Sequence, residues 1–302
     1  MAGNNVLRSS QPVEYIEEDT FATQDDGSSS WNWFGLGTSW SVTQGVESEN
    51  ISYLPEYGST NKLSKRVNIK HSEMWEGEVT YHPQNDFEFL KFFSGSVGSV
   101  ADDPPTIQVG EINEDADPET FQTLLGGMGE EVTVSVDEDS TFEVSGSFIF
   151  ADGTDWTDSD YVDDQGDGAH APENTTEPFA YKDLSNVQYG GTDLSGAIES
   201  MEFTISNEVA VVKDPTVSRE SLIAALVPTD REITANVSLT YDSYDLAQEV
   251  RSYTAKDLTF DIGTTSFTIS DVKFPEFSHE LTPDDLVSDS IDSDPATNIS
   301  WS

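Results

Sequence analysis

The stretch 131-EVTVSVDEDSTFEVSGSFIF-150 constrains the fold more than any other. Val132, Val134 and Val136 recur every second residue, and so do Phe142, Val144 and, if the phase holds, Phe148. A period of two puts these side chains on one face of a pleated strand, which suits a half-buried β-sheet and not a helix. The same alternation returns in 197-AIESMEFTIS-206 and 257-DLTFDIGTTSFTISDVKF-274, and strand-like aromatic runs fill 31-WNWFGLGTSWSVTQGV-46. The chain reads as mainly β.

Two segments interrupt the alternation in the same way. In 78-EVTYHPQNDFEFLKFF-93 and 236-NVSLTYDSYDLAQEV-250 a strand passes through a polar turn into a short run with apolar residues at helical spacing. Val79 and Val237 occupy the same place and lie 158 residues apart, whereas Val132 and Leu258, in the paired strands, lie 126 apart. The first copy is therefore 32 residues longer, and the excess falls in the Gly-, Asp- and Pro-rich stretch 94–130. Loop insertion is an inexpensive way for copies to diverge. The shared element order predicts an internal duplication: two tandem β-sandwich or barrel units, each with one short α-helix. The alternative is one irregular all-β domain.

The expected boundaries are an N-terminal arm (1–30), copy one (31–150), an acidic linker (151–178), copy two (179–281) and a polar C-terminal tail (282–302). Residues 47–66 read as a long loop or extended hairpin. Asp117 as N-cap, Pro118 in the first turn and the Gly126-Gly127 pair predict a small helix over 117–127.

The chain's 302 residues carry 58 Asp+Glu and 13 Lys+Arg, a formal net charge of −45. Such self-repulsion opposes compaction in dilute salt. At about 1 M salt the Debye length is about 3 Å and the repulsion is largely screened. Acid spread along the whole chain therefore points to a halophilic source, against the alternative of a calcium- or basic-partner-binding protein. The charge also argues against tight nucleic-acid binding through phosphate neutralisation.

No catalytic or metal constellation is legible. There is no cysteine. His71, His82, His170 and His279 lack ligand spacing, no phosphate-binding glycine motif occurs, and the Asp run in 152–167 lacks the register of a calcium loop. No enzymatic activity, cofactor or metal is expected. No segment reads as a signal peptide or membrane-spanning helix, so the sequons at Asn50, Asn174, Asn236 and Asn298 are taken as chance.

The segment 197-AIESMEFTISNEVAVVKDPTVSRESLIAALVPTDREITANVSLTYDSYDLAQEV-250 resembles the tail tube proteins of long-tailed viruses: a strand runs to an Asn (Asn207), and a long hairpin loop, a strand and a short helix follow. The resemblance covers about 179–280 best and 31–150 more weakly. It implies the major tail tube protein of a siphovirus-like tailed virus, here one infecting a halophilic archaeon. In that family six tube folds ring a channel, rings stack into a conduit for genome ejection, and two-copy members form homotrimeric rings with pseudo-sixfold symmetry. It further implies a tape measure protein and tail-end proteins as partners, viral DNA only in transit through the lumen, no membrane, assembly in the host cytoplasm and residence in the virion tail. The rival readings are another virion ring component, distal tail or tail terminator, and a halophile surface-binding β-sandwich module.

The family's long loop bridges subunits or rings. Its counterparts here supply the candidate interface residues: Ile51, Tyr53, Leu54, Tyr57 and the basic pair Lys65-Arg66 in copy one, and Val209, Val211, Leu222, Ile223 and Leu226 in copy two. Lys62, Lys65, Arg66 and Lys70 form a basic cluster suited to an acidic neighbour, or to local charge balance. For copy two the alternative is a core helix over 218–226.

Overall fold

The computed structural model describes residues 13–23, 31–53, 65–94, 104–113, 120–157, 176–217, 222–240, 253–275 and 288–302. Nothing is stated of the side chains of 46–53, 65–72, 113, 240 and 288–290.

Alternating and continuous apolar runs build sixteen strands among these residues. A first set, labelled copy one after the expected duplication although it takes in residues of the expected arm and linker, comprises β1 (Val13–Glu17), β2 (Asn32–Trp33), the long β3 (Leu36–Tyr53) and β4 (Lys65–His82), then β5 (Ile107–Asn113), β6 (Thr120–Asp137), β7 (Glu143–Phe150) and β8 (Asp152–Gly153). A second set, labelled copy two on the same basis although it takes in residues of the expected tail, comprises β9 (Leu184–Tyr189), β10 (Thr192–Asp193), the long β11 (Ile198–Lys213) and β12 (Ile223–Thr240), then β13 (Lys256–Ile262), β14 (Thr265–Val272), β15 (Ser288–Asp292) and β16 (Asn298–Trp301).

The pairings of the two sets correspond in part: the strand orders set β5 against β13 and β6 against β14, not β6 against β13 as the offset between Val132 and Leu258 had it, and β7 also pairs β6 whereas β15 pairs β12 alone among the described residues. In copy one β2-β1-β5-β6-β8 form a flanking sheet, while the β3/β4 hairpin pairs β7 through β4. In copy two β10-β9-β13-β14-β16 form the flanking sheet, while the β11/β12 hairpin pairs β15 through β12. A further ladder joins the copies. The second half of β6 pairs β7 on one side and β11 on the other, Glu131–Asp137 lying against Ser200–Ser206. One sheet thus runs β3-β4-β7-β6-β11-β12-β15 across both copies.

Thr120–Asp137 is a strand where a helix over 117–127 was expected; residues 117–119 lie outside the described residues. Its first half is buried on both faces, so its apolar residues do not alternate and imitate a helical run. The Gly126-Gly127 pair ends no helix. Gly126 has φ +65° and marks a register shift, the corner where β6 leaves the flanking sheet for the long one. A Cβ on Gly127 would fall 2.5 Å from Ile107 and Phe150. The Glu18 carboxylate accepts the Gly126 N–H at 2.7 Å and the Ala22 N–H at 3.1 Å, closing the corner.

The expected arm and tail both enter the core. Val13, Tyr15 and Ile16 of β1 are buried, as are Ile291, Ile299 and Trp301 of β15 and β16. Alternation explains the tail: Ile299 and Trp301 point inward while polar neighbours cover the outer face. The ends of the expected linker are also pinned. Asp152–Gly153 pair β6, Thr157 bridges Phe121, and Gln84 donates to the Thr176 carbonyl.

The short helical run expected at the end of 78–93 forms as a 3-10 turn at Glu88–Leu90 followed by α1 (Lys91–Ser94). Phe89, Leu90, Phe92 and Phe93 are buried, and Phe89 meets the rings of Tyr15, Tyr81 and Phe148. Phe87 stacks on Phe179 at 5.6 Å and meets Phe267 edge-on at 5.2 Å, so this segment also seals the seam between copies. The helix expected in 241–250 lies outside the described residues.

Candidate functional site

Among the described residues the long sheet ends in two strands that each pair on one side only, β3 and β15. An exposed strand edge is a row of backbone donors and acceptors ready for another chain. The two edges belong to different copies, so the chain presents two different sides to a neighbour.

Two ribbons extend beyond the sheet. In copy one, β7 covers β4 only over Trp75–Tyr81, while β3 and β4 pair on to Tyr53↔Lys65. At about 3.3 Å per residue the stretch Val46–Tyr53 reaches some 23 Å. In copy two, β6 covers β11 only to Ser206, while β11 and β12 pair on to Lys213↔Ile223.

The base of the second ribbon is latched to copy one. Asn207, 5% exposed, pairs with Arg231 across the hairpin. Its Nδ2 donates to the Phe93 and Gly129 carbonyls, both at 3.0 Å, and its Oδ1 accepts from Arg231 Nε at 2.8 Å. Arg231 also reaches the Ser94 carbonyl at the end of α1, where a cation suits the exposed carbonyls. The sequence reading placed Asn207 at a turn; it sits inside β11, one residue before a bulge between Glu208 and Val209.

The expected interface residues are distributed as follows. Val209, Val211, Ile223 and Leu226 pack within the chain, in a small cluster with Met74, Leu125, Met128 and Ile149. Leu222 has φ +58° at the start of the strand, costly for a leucine. The alternative helix over 218–226 fails for its described part, since Ile223 onward is strand. Ile51 and Tyr53 lie on β3 and Lys65 and Arg66 on β4, all in the outer part of the first ribbon. Leu54 and Tyr57 lie outside the described residues. Sequence reasoning missed Val212 and Val227, which are 46% and 39% exposed on the second ribbon. Their signal was the unbroken apolar run, which leaves both faces of a two-stranded ribbon apolar.

A cleft of about 460 Å³ opens between the layers below β3. Trp40, Val42 and Gln44 of β3 form one wall; Trp75, Glu111, Gln122, Asp155 and Trp156 form the rest. Two glycines make room for its indoles: a Cβ on Gly77 would fall 2.6 Å from Trp40, and one on Gly153 2.6 Å from Trp75. Glu111, 4% exposed, accepts a hydrogen bond from Trp40 Nε1. Burial pushes its carboxyl above the ordinary value, and that hydrogen bond pulls partly back. His82 Nδ1 lies 2.8 Å from the Phe142 carbonyl. Among the described residues no group of histidine and carboxylate side chains gathers to hold a metal ion.

Residues 20–301 match the family model described as phage tail tube protein. No curated protein matches the chain.

Proposed function

The chain belongs to the phage tail tube protein family, a structural and non-enzymatic component of the virion tail, and from that premise we propose that three copies of it close a ring with pseudo-sixfold symmetry. The observation that carries this reading is the β6–β11 ladder, by which copy one's sheet continues into copy two's inside a single chain. The partly corresponding pairings of the two halves support a duplication, and among the described residues β3 and β15 stay open at the ends. A ring of this kind joins the β15 edge of one chain to the β3 edge of the next and so extends between chains the sheet that β6 and β11 carry across each chain. Because the two edges differ, the contact is head-to-tail and closes only at the correct rotation.

Stacked rings make a passive conduit through which the genome is ejected. The two ribbons bridge neighbouring subunits or rings, and the exposed Val212 and Val227 offer apolar surface for that contact. Ile51, Tyr53, Leu54, Tyr57, Lys65, Arg66 and Leu222 belong to the same proposed contact. Val209, Val211, Ile223 and Leu226 act through it as the support that holds the second ribbon in place. The net charge of −45 favours a halophilic source, taken here as a siphovirus-like virus of a halophilic archaeon, and an acidic lumen repels DNA in transit. A tape measure protein and tail-end proteins are the further partners, assembly takes place in the host cytoplasm, and no membrane is involved. Native mass spectrometry of the smallest assembled species tests the stoichiometry: three chains per ring are expected, and six refute the two-copy ring.

A further inference from the structure

We propose that the Trp40–Glu111 cleft binds a neutral sugar ring, a ligand with flat C–H faces and a rim of hydroxyl groups. All the walls of the cleft belong to one chain, so the site does not depend on ring closure.

The aromatic walls stand at fixed positions. Trp40 is half-buried, stacks on Phe34 at 6.2 Å and lies over Gly77, where a Cβ would collide with it. Trp75 lies over Gly153 in the same way. Trp156 adds a third indole, 43% exposed. The face of an indole is electron-rich and attracts the weakly positive C–H face of a sugar ring. Walls that are already ordered reduce the entropy lost on binding.

The polar atoms among the indoles call for a ligand that donates hydrogen bonds. Glu111, 4% exposed, uses one carboxylate oxygen for Trp40 Nε1, and its other oxygen takes no hydrogen bond among the described residues. Gln122 gives Nε2 to the Thr154 carbonyl at 2.8 Å, and Gln44 gives Nε2 to Glu73 at 2.8 Å, so each keeps an amide oxygen for a partner. The exposed Asp155 adds a second carboxylate. Trp75 has the opposite need, because its indole N–H is buried with no acceptor in the chain. A hydroxyl group both donates and accepts, whereas an ammonium or guanidinium only donates.

Charge and size point the same way. The net charge of −45 repels an anionic ligand. In the molar salt that this charge calls for, a cationic ligand competes with abundant cations for Glu111 and Asp155. A neutral ring held by stacking and hydroxyl hydrogen bonds meets no such competition. The cleft volume of about 460 Å³ lies within the range of about 300–1,000 Å³ usual for small-molecule sites.

Tryptophan fluorescence titrations of the full chain in about 3 M salt, chosen to screen the net charge, test the site. The probes are the methyl glycosides of glucose, galactose, mannose and N-acetylglucosamine, with choline as the cationic control. At least one glycoside is expected to bind saturably, with a Kd of about 1 mM. Trp156→Ala removes a half-exposed stacking surface and is expected to weaken that binding about tenfold or more. Glu111→Gln keeps the size of the side chain and an acceptor for Trp40, and is expected to weaken it by about tenfold. Circular dichroism verifies that each variant is folded. No saturable response to any of the glycosides overturns the proposal, as does choline binding in their place. Binding that either folded variant leaves unchanged overturns it too. The ring reading stands under each of these results.

Discussion

Replacing Asn207 probes the latch that holds the second ribbon to copy one. Alanine there removes two hydrogen bonds to the Phe93 and Gly129 carbonyls and one from Arg231 Nε. Each is worth about 1 kcal/mol net, and the groups left behind are buried, so the expected loss is about 3 kcal/mol. An unfolding entropy of about 2.1 cal/mol/K per residue over 302 residues gives about 0.6 kcal/mol/K. The midpoint therefore falls by roughly 5 °C. Asn207→Asp is the sharper control. It retains the contact with Arg231 but turns a donor into an anion 3.0 Å from two carbonyl oxygens. Its loss is expected to be no smaller than alanine's at neutral pH. Thermal and urea unfolding in high salt, with Arg231→Met completing a double-mutant cycle, read both quantities. A loss below about 1 kcal/mol for alanine, or a wild-type-like aspartate variant, refutes the latch.

Other perturbations read other parts of the account. Trp301→Ala is expected to cost about 3–5 kcal/mol in equilibrium unfolding, because Trp301 is 3% exposed and stacks on Phe267 at 6.4 Å; a near-neutral result means that the C-terminal strand is peripheral. Burial holds the Glu111 carboxyl above its ordinary value of 4.5 in the folded chain, so the stability linked to this group is fully present below that value and is lost as pH rises through the folded one. Glu111→Gln is thus expected to match the wild type at about pH 4 and to exceed it at neutral pH in the unassembled chain; a variant less stable at neutral pH contradicts the desolvation argument. Raising salt from about 0.1 M to about 3 M is expected to lift the unfolding midpoint strongly, since the chain carries a net charge of −45; a flat dependence removes the support for a halophilic source.

The mainly β class was legible because period-two alternation survives wherever one sheet face is wet, as at Val132, Val134 and Val136. It failed where a strand is buried on both faces. The first half of β6 lost its period and, with a Gly pair at its end, imitated a capped helix. The flanks were hidden for a different reason. Acidic composition dominates residues 282–302, but two inward residues, Ile299 and Trp301, are enough to anchor β16. The long hairpin around residues 208–231 was legible in the sequence, but not which of its faces the chain itself covers. A two-stranded ribbon with apolar residues on both sides gives no periodic cue as to which side its own chain covers, so Val212 and Val227 went unnoticed beside Val209 and Val211. The pairing of β6 with β11 was also out of reach, because no local signal tells a strand which distant strand will lie beside it. The Trp40–Glu111 cleft draws on five separate segments and has no local spacing to betray it.

Electron microscopy of negatively stained protein in about 2–3 M salt, a range chosen to screen its charge, tests the central claim most directly. Averaged end views are expected to show a ring with threefold symmetry, six similar lobes and a central channel, and side views to show rings stacked into a tube. Rings of six whole chains contradict the two-copy ring, and a population of single chains contradicts self-assembly through the β3 and β15 edges.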